Sequence, residues 1–259
     1  MKSLNPLLFA LLLVLFCHSV HASQIPTLFI IGDSTVKNHT PKEEGWGDAI
    51  APYFDTSRIK IMNCALGGRS SRSFLAEGLW AKVLAQLKPG DFVMILFGDN
   101  DGGPVRGDNI ASLHGEGDKT VTLPNTKTGK DVVIHTYGWY LRNYEKDTIK
   151  AGAYPIVLSP LPRNMWHGNR VNRDDKEYGL WASESAKSEG AAFIDLNQLV
   201  ADYYDMLGPI WVKHLFPVDH THTNPLGAEL NADAVVQGLR LLQNCPLNKY
   251  LITENGPVK

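Results

Sequence analysis

"TLFIIGDST", residues 27–35, decides how the rest of the chain is read. Thr27 to Gly32 form a short apolar run rich in branched and aromatic side chains, the length of a strand rather than a helix. A strand apolar at nearly every position is buried on both faces, which marks a parallel sheet covered by helices. At Gly32 the run gives way to Asp33, Ser34 and Thr35.

Four more runs of this kind follow: "RIKIMNC" (58–64), "DFVMILFG" (91–98), "YPIVLSP" (154–160) and "AAFIDL" (191–196). Helical patterns separate them. "EGWGDAIAPYF" follows the first run and "SFLAEGLWAKVLAQL" the second. "HTYGWYLRNYEKDTIKAG" precedes the fourth, "NRDDKEYGLWASESAKSEG" precedes the fifth, and "NPLGAELNADAVVQGLRLLQ" (224–243) closes the chain. Alternating strands and helices predict an α/β fold, a three-layer α/β/α sandwich around a central five-stranded parallel sheet with right-handed crossovers. Residues 102–135 break the alternation. They are rich in Gly and Asp and then give "KTVTLPNTKTGKDVVIH", a surface excursion carrying a small hairpin that turns near "NTKTG". No linker, repeat or composition break is visible in the 259 residues, so one domain is expected over 23–259.

The first 22 residues read differently. Lys2 supplies a positive start, Leu7 to Phe16 is unbroken apolar, and Val20-His21-Ala22 places small residues at a cleavage point. This is the pattern of a secretory signal peptide, residues 1–22, and the protein is expected to be secreted, extracellular or periplasmic. The apolar run falls short of the roughly 20 residues of a membrane span. Cys17 invites a lipoprotein reading, but bulky Phe16 stands where a small residue is expected. Without Lys2 the charge balance is 24 basic against 27 acidic residues, with no basic stripe to argue for nucleic acid. The remaining cysteines, Cys64 and Cys245, are too few for a disulfide scaffold or a zinc site.

In such a sheet, ligands bind outside the carboxyl ends of the strands. Four polar clusters fall on that edge: Asp33-Ser34-Thr35, "GGRSSRS" with Gly67 and Gly68, Asp99-Asn100-Asp101, and Asp219-His220-Thr221-His222 before the closing helix. Each has a plain structural reading. Ser34 can cap a helix, Gly67-Gly68 can make a tight turn, Asn100 can satisfy loop backbone, and His222 can bond a carbonyl. Together they supply what acyl transfer needs. A serine hydroxyl needs a base to take its proton, an imidazole suits that task, and a carboxylate fixes the imidazole tautomer. Backbone N–H groups and an amide hold the developing oxyanion, each worth about 3 kcal/mol of barrier. Asp219, His220 and His222 also suggest a metal clamp, but no other ligand cluster completes a set, and the expectation is no metal and no cofactor.

These blocks, in this order, resemble the SGNH (GDSL) hydrolases, and more closely the rhamnogalacturonan acetylesterases. "IIGDSTVKN", "GGRSSRSF", "FGDNDGG" and "FPVDHTHTNPLGAELNA" carry the likeness, and "HTYGWYLR" and "LPRNMW" are similar to a bacterial-type branch. The resemblance implies a flavodoxin-like SGNH fold. It implies Ser34 as nucleophile, His222 as base and acid, and Asp219 orienting His222. The oxyanion hole would be the N–H groups of Ser34 and Gly68 with the Asn100 amide, and His220 has no required role. Relatives usually carry His where this chain has Asp99. Strand alternation puts Asp99 opposite Asn100, facing away from the oxyanion; the alternative is that it lies near the site and alters its electrostatics or sugar contacts.

The activity implied is removal of acetyl esters from the rhamnogalacturonan backbone of pectin. The partner would be an acetylated pectic polysaccharide or oligosaccharide met by a monomer, with no nucleic acid and no membrane. Galacturonate is anionic, so Arg69, Arg72, Arg163 and Arg170 are candidates to meet it, with Trp166 as a sugar platform. A different esterase of the same fold, acting on acetylxylan, small acyl esters or lipids, and a catalytically silent carbohydrate-binding protein are the other readings. Two geometric expectations complete the set. The closing helix carries Cys245 roughly 27 Å from the edge where Cys64 sits, beyond the reach of about 7 Å for a disulfide. Asn38-His39-Thr40 is a glycan acceptor pattern so close to Ser34 that a glycan would crowd the cleft, and it is expected to be unused.

Overall fold

The two alternating sets of strand side chains bury into different cores, and this division organises the fold. The computed structural model describes residues 25–174 and 176–252; the expected signal peptide and Cys17 lie outside the described residues. Five strands, β1 (Thr27–Gly32), β2 (Lys60–Asn63), β3 (Phe92–Leu96), β6 (Tyr154–Leu158) and β9 (Ala192–Ile194), form a parallel sheet in the order β2-β1-β3-β6-β9. Leu28, Ile30, Phe92, Met94, Leu96, Ile156 and Leu158 face one core, while Phe29, Ile31, Val93, Ile95 and Val157 face the other. Both faces are therefore apolar, as the unbroken runs predict.

The first core is closed by α1 (Trp46–Ala49), α6 (Leu196–Lys213) and α7 (Pro225–Leu241). The second is closed by α2 (Ser71–Ala76), α3 (Leu79–Leu84), α4 (Tyr137–Lys150) and α5 (Tyr178–Glu189). The result is the expected three-layer α/β/α sandwich. Two small hairpins lie outside the sheet: β4 (Thr120–Asn125) with β5 (Lys130–His135), turning at residues 126–129, and β7 (Trp166–His167) with β8 (Arg170–Val171). The first is the hairpin anticipated in the excursion.

Some local expectations differ. The second helical pattern is two helices, parted at Gly78, whose φ of +70° favours glycine. The pattern after β1 yields only the short α1 and a 3-10 turn at Ala51–Tyr53. Helix α6 lies between the fifth strand and the histidine loop and begins within the run read as strand. Asp195, read there as part of a strand, is the N-cap of α6, its carboxylate accepting from the Gln198 N–H at 3.1 Å. Cys64 and Cys245 are both free.

Candidate active site

Strand register sets the site. Gly32 pairs with Leu96, so the turns leaving β1 and β3 emerge side by side. A Cβ on Gly32 would lie 2.5 Å from the Leu96 carbonyl oxygen, so only glycine fits there. Ser34 follows in a turn closed by Val36 and Lys37 N–H groups donating to the Asp33 carbonyl. It caps no helix: the residue preceding α1 is Gly45. From the neighbouring strand, Gly67 arrives against Ser34, whose Cβ would lie 3.5 Å from a Cβ placed on Gly67.

The histidine loop is held from several sides. The Asp219 Oδ1 atom accepts the N–H groups of Thr221 (2.7 Å) and His222 (2.8 Å). Thr223 accepts from the Glu44 N–H, and Asn224 both caps α7 and donates to the His214 carbonyl. His222 Nδ1 then lies 2.7 Å from Asp219 Oδ2, and His222 Nε2 lies 2.8 Å from Ser34 Oγ. This relay runs carboxylate, imidazole, hydroxyl, and it opens on a cleft of about 720 Å3 lined by Ser34, His222, Gly67, Gly68 and Asn100. Among the described residues, neither the Ser34 nor the Gly68 N–H donates to a protein acceptor. The Asn100 Nδ2 donates to the Arg69 carbonyl at 3.2 Å, which spends one of its two hydrogens. Three donors thus belong to residues lining the same cleft as the hydroxyl, a set able to stabilise an oxyanion.

Burial opposes ionisation of Asp219, yet the N–H groups of His222 and Thr221 and the imidazole hold its carboxyl below the ordinary range. Three carboxyl groups near the strand ends are buried. Burial, then the charges of Asp99 and Asp101, push Asp33 up to about 8 against two hydrogen bonds from Thr35. Burial raises Asp101 to about 6 despite hydrogen bonds from the Ser71 hydroxyl and N–H. Burial also raises Asp99, opposed by Arg163 and then by His222 and His220.

Asp99 therefore does not face away from the site. Strand alternation stops at Leu96, and Gly98, with φ +145°, turns the chain so that both Asp99 and Asn100 line the cleft. Of the basic candidates, Arg163 lines the cleft too. The others are engaged elsewhere. Arg69 pairs with Glu77 at 3.0 Å, and Arg170 with Asp205 at 3.5 Å. Arg72 is buried, its guanidinium donating to the carbonyls of Arg106, Gly107 and Ala111, where it ties the excursion to α2. Trp166 is half-buried: it packs against the first core, its indole N–H donates to Asn164, and it does not line the cleft around Ser34. His220 contributes its backbone carbonyl, which accepts from the Asn164 N–H.

Three ionisable cleft residues were not assigned to the site from sequence: Lys37, His39 and Glu43. They come from the irregular stretch after Ser34, where no periodicity gives a direction. Glu43 accepts from Asn38 Nδ2 at 2.9 Å, which occupies the atom a glycan would need. Glu43, Asp219 and His222 each offer a ligand atom within 4.8 Å of the others. They fit an ion poorly, because both oxygens of Asp219 and both ring nitrogens of His222 already have protein partners.

Comparison with known proteins places the chain in a family. The sequence profile of the GDSL-like Lipase/Acylhydrolase family matches residues 30–230. A rhamnogalacturonan acetylesterase of Emericella nidulans is 33% identical over 214 residues, 82% of this chain and 84% of the relative. A probable rhamnogalacturonan acetylesterase of Bacillus subtilis is 26% identical, over 88% of this chain and 98% of its own length. Among solved structures, the YxiM protein of Bacillus subtilis superposes with a TM-score of 0.68 at 26% identity. That match covers 83% of this chain and 56% of YxiM, so the chain spans just over half of that longer protein.

Proposed function

The chain belongs to the GDSL-like lipase/acylhydrolase family, and from that membership we propose a secreted serine esterase that removes O-acetyl groups from the rhamnogalacturonan backbone of pectin. It is a carboxylic ester hydrolase of the carbohydrate esterase kind. The observation that carries the mechanism is the unbroken relay from Asp219 through His222 to Ser34 beside free N–H donors. The pectic substrate is supported by the Emericella relative, and export by the composition of residues 1–22.

In the first half-reaction His222 Nε2 takes the Ser34 proton as Oγ attacks the acetyl carbonyl. The Ser34 and Gly68 N–H groups and the Asn100 amide hold the oxyanion. The imidazolium, steadied by Asp219, protonates the departing sugar oxygen. Water, activated by His222, then releases acetate from the acetyl-serine. Acetate release from acetylated rhamnogalacturonan and acetylated xylan, and p-nitrophenol release from p-nitrophenyl octanoate, beside Ser34→Ala, test this. Release from the first alone, lost in the variant, is expected. Preference for xylan contradicts the substrate, and an unchanged variant contradicts the mechanism.

A further inference from the structure

Arg163 and Asp99 are an unequal pair. Asp99 is 7% exposed in its side chain, and Arg163 is 42% exposed. The Asp99 Oδ1 accepts from Arg163 Nε at 3.0 Å and lies 2.9 Å from Nη2, and the Asp99 carbonyl accepts from Nη2 at 3.3 Å. Asp99 thus holds one edge of the guanidinium. Among the described residues, Nη1 donates to no protein acceptor. The backbone beneath is fixed as well. Arg163 follows Pro160-Leu161-Pro162, the Pro160 carbonyl accepts from Asn197 at 2.8 Å, and Asn164 donates to the His220 carbonyl.

A surface ion pair of two mobile side chains contributes little. Here the acid is buried scaffold and the cation is presented, held in one orientation at the wall of the cleft that contains Ser34. Acyl transfer at Ser34 needs no such charge, since the oxyanion donors are complete without it. The free end of the guanidinium, Nη1 with the second Nη2 hydrogen, is the edge that takes a carboxylate through two parallel N–H bonds.

We propose that Asp99 positions Arg163 as a receptor for the carboxylate of a uronic acid residue beside the acetylated sugar, making the cleft selective for anionic chains. The inference rests on the pectic esterase reading above and adds the residue that recognises the chain's charge. Arg163 binds substrate, and Asp99 acts through it as a positioning residue.

Two pools of acetylated rhamnogalacturonan oligosaccharide test it, one with carboxyls intact and one with them reduced to neutral galactose. The quantity read is the ratio of kcat/KM between pools. For wild type we expect about tenfold to a hundredfold in favour of the intact pool, carried by KM, and shrinking with added salt. The ratio falls towards one in Arg163→Gln and is partly kept in Arg163→Lys, which offers a point charge without the fork. It is lost in Asp99→Ala and largely kept in Asp99→Asn, whose Oδ1 still accepts from Nε. A purely structural role would lower both pools together and leave the ratio at its wild-type value. A wild-type ratio of one, or an unchanged ratio in Arg163→Gln, overturns the proposal while acetate release leaves the esterase reading standing. Release from neither pool overturns both.

Discussion

Replacing Asp33 by Asn should flatten the dependence of stability on pH without emptying the site. The side chain is fully buried, Oδ1 accepts from the Thr35 N–H (2.9 Å) and hydroxyl (2.8 Å), and Oδ2 is buried with no partner among the described residues. Burial first, and then the charge of Asp99, bring its titration from 3.8 to about 8. The native protein keeps this proton up to about pH 8, and the unfolded chain loses it near pH 3.8. Unfolding across that window releases a proton, so the stability contributed by Asp33 is complete below the lower value and declines as pH rises to the upper. The slope is about 1.4 kcal/mol per pH unit, or roughly 3 kcal/mol between pH 5 and pH 7. Asparagine keeps the Oδ1 acceptor and removes the titration. Urea unfolding of wild type and Asp33→Asn at pH 5, 6 and 7, with m-values compared, reads the difference directly. The variant curve should be flatter by nearly the full slope. Parallel curves would refute the claim that Asp33 is a buried neutral acid at the foot of the nucleophile.

Other outcomes follow from the same geometry. Asn100→Ala removes one oxyanion donor and should lower kcat by about 100-fold to 1,000-fold with little change in KM, read from initial rates of acetate release. Gly68→Ala places a side chain at φ +72° with nothing within 4 Å of its Cβ, so its cost is backbone strain alone. That strain is about 1–2 kcal/mol in a urea melt, accompanied by a fall in kcat as the N–H is reoriented. Asp219→Asn keeps the hydrogen-bonding shape but favours the wrong imidazole tautomer, and kcat should drop by about 10,000-fold; steady-state kinetics against wild type measures it.

The legible parts of the fold share a physical reason. The strands Thr27–Gly32 and Phe92–Leu96 are buried on both faces, so their sequences are apolar throughout and their ends are sharp. The boundary before helix α6 was misplaced because the strand is only three residues long, and "FIDL" passes from strand to helix through a single capping residue, Asp195. Ser34, Asp219 and His222 could be picked out because acyl transfer requires those residue types, one in the turn after the first strand and two in the loop before the closing helix. Asp99 was misplaced because an alternation rule was carried past Gly98, where the strand has already ended. Arg72 was misjudged because neither type nor position tells a buried guanidinium from an exposed one. Glu43, Lys37 and His39 reach the cleft through an irregular loop whose path only folding determines.

The central claim is that Ser34 carries the acetyl group, and covalent labelling tests it most directly. The native protein would be treated with a serine-directed phosphonofluoridate, its intact mass measured and the adduct located by peptide mapping, with acetate release followed in parallel. The account predicts one adduct, on Ser34, formed as activity disappears and absent from Ser34→Ala. A stoichiometric adduct on another residue, or full activity in protein whose Ser34 is completely labelled, would contradict it.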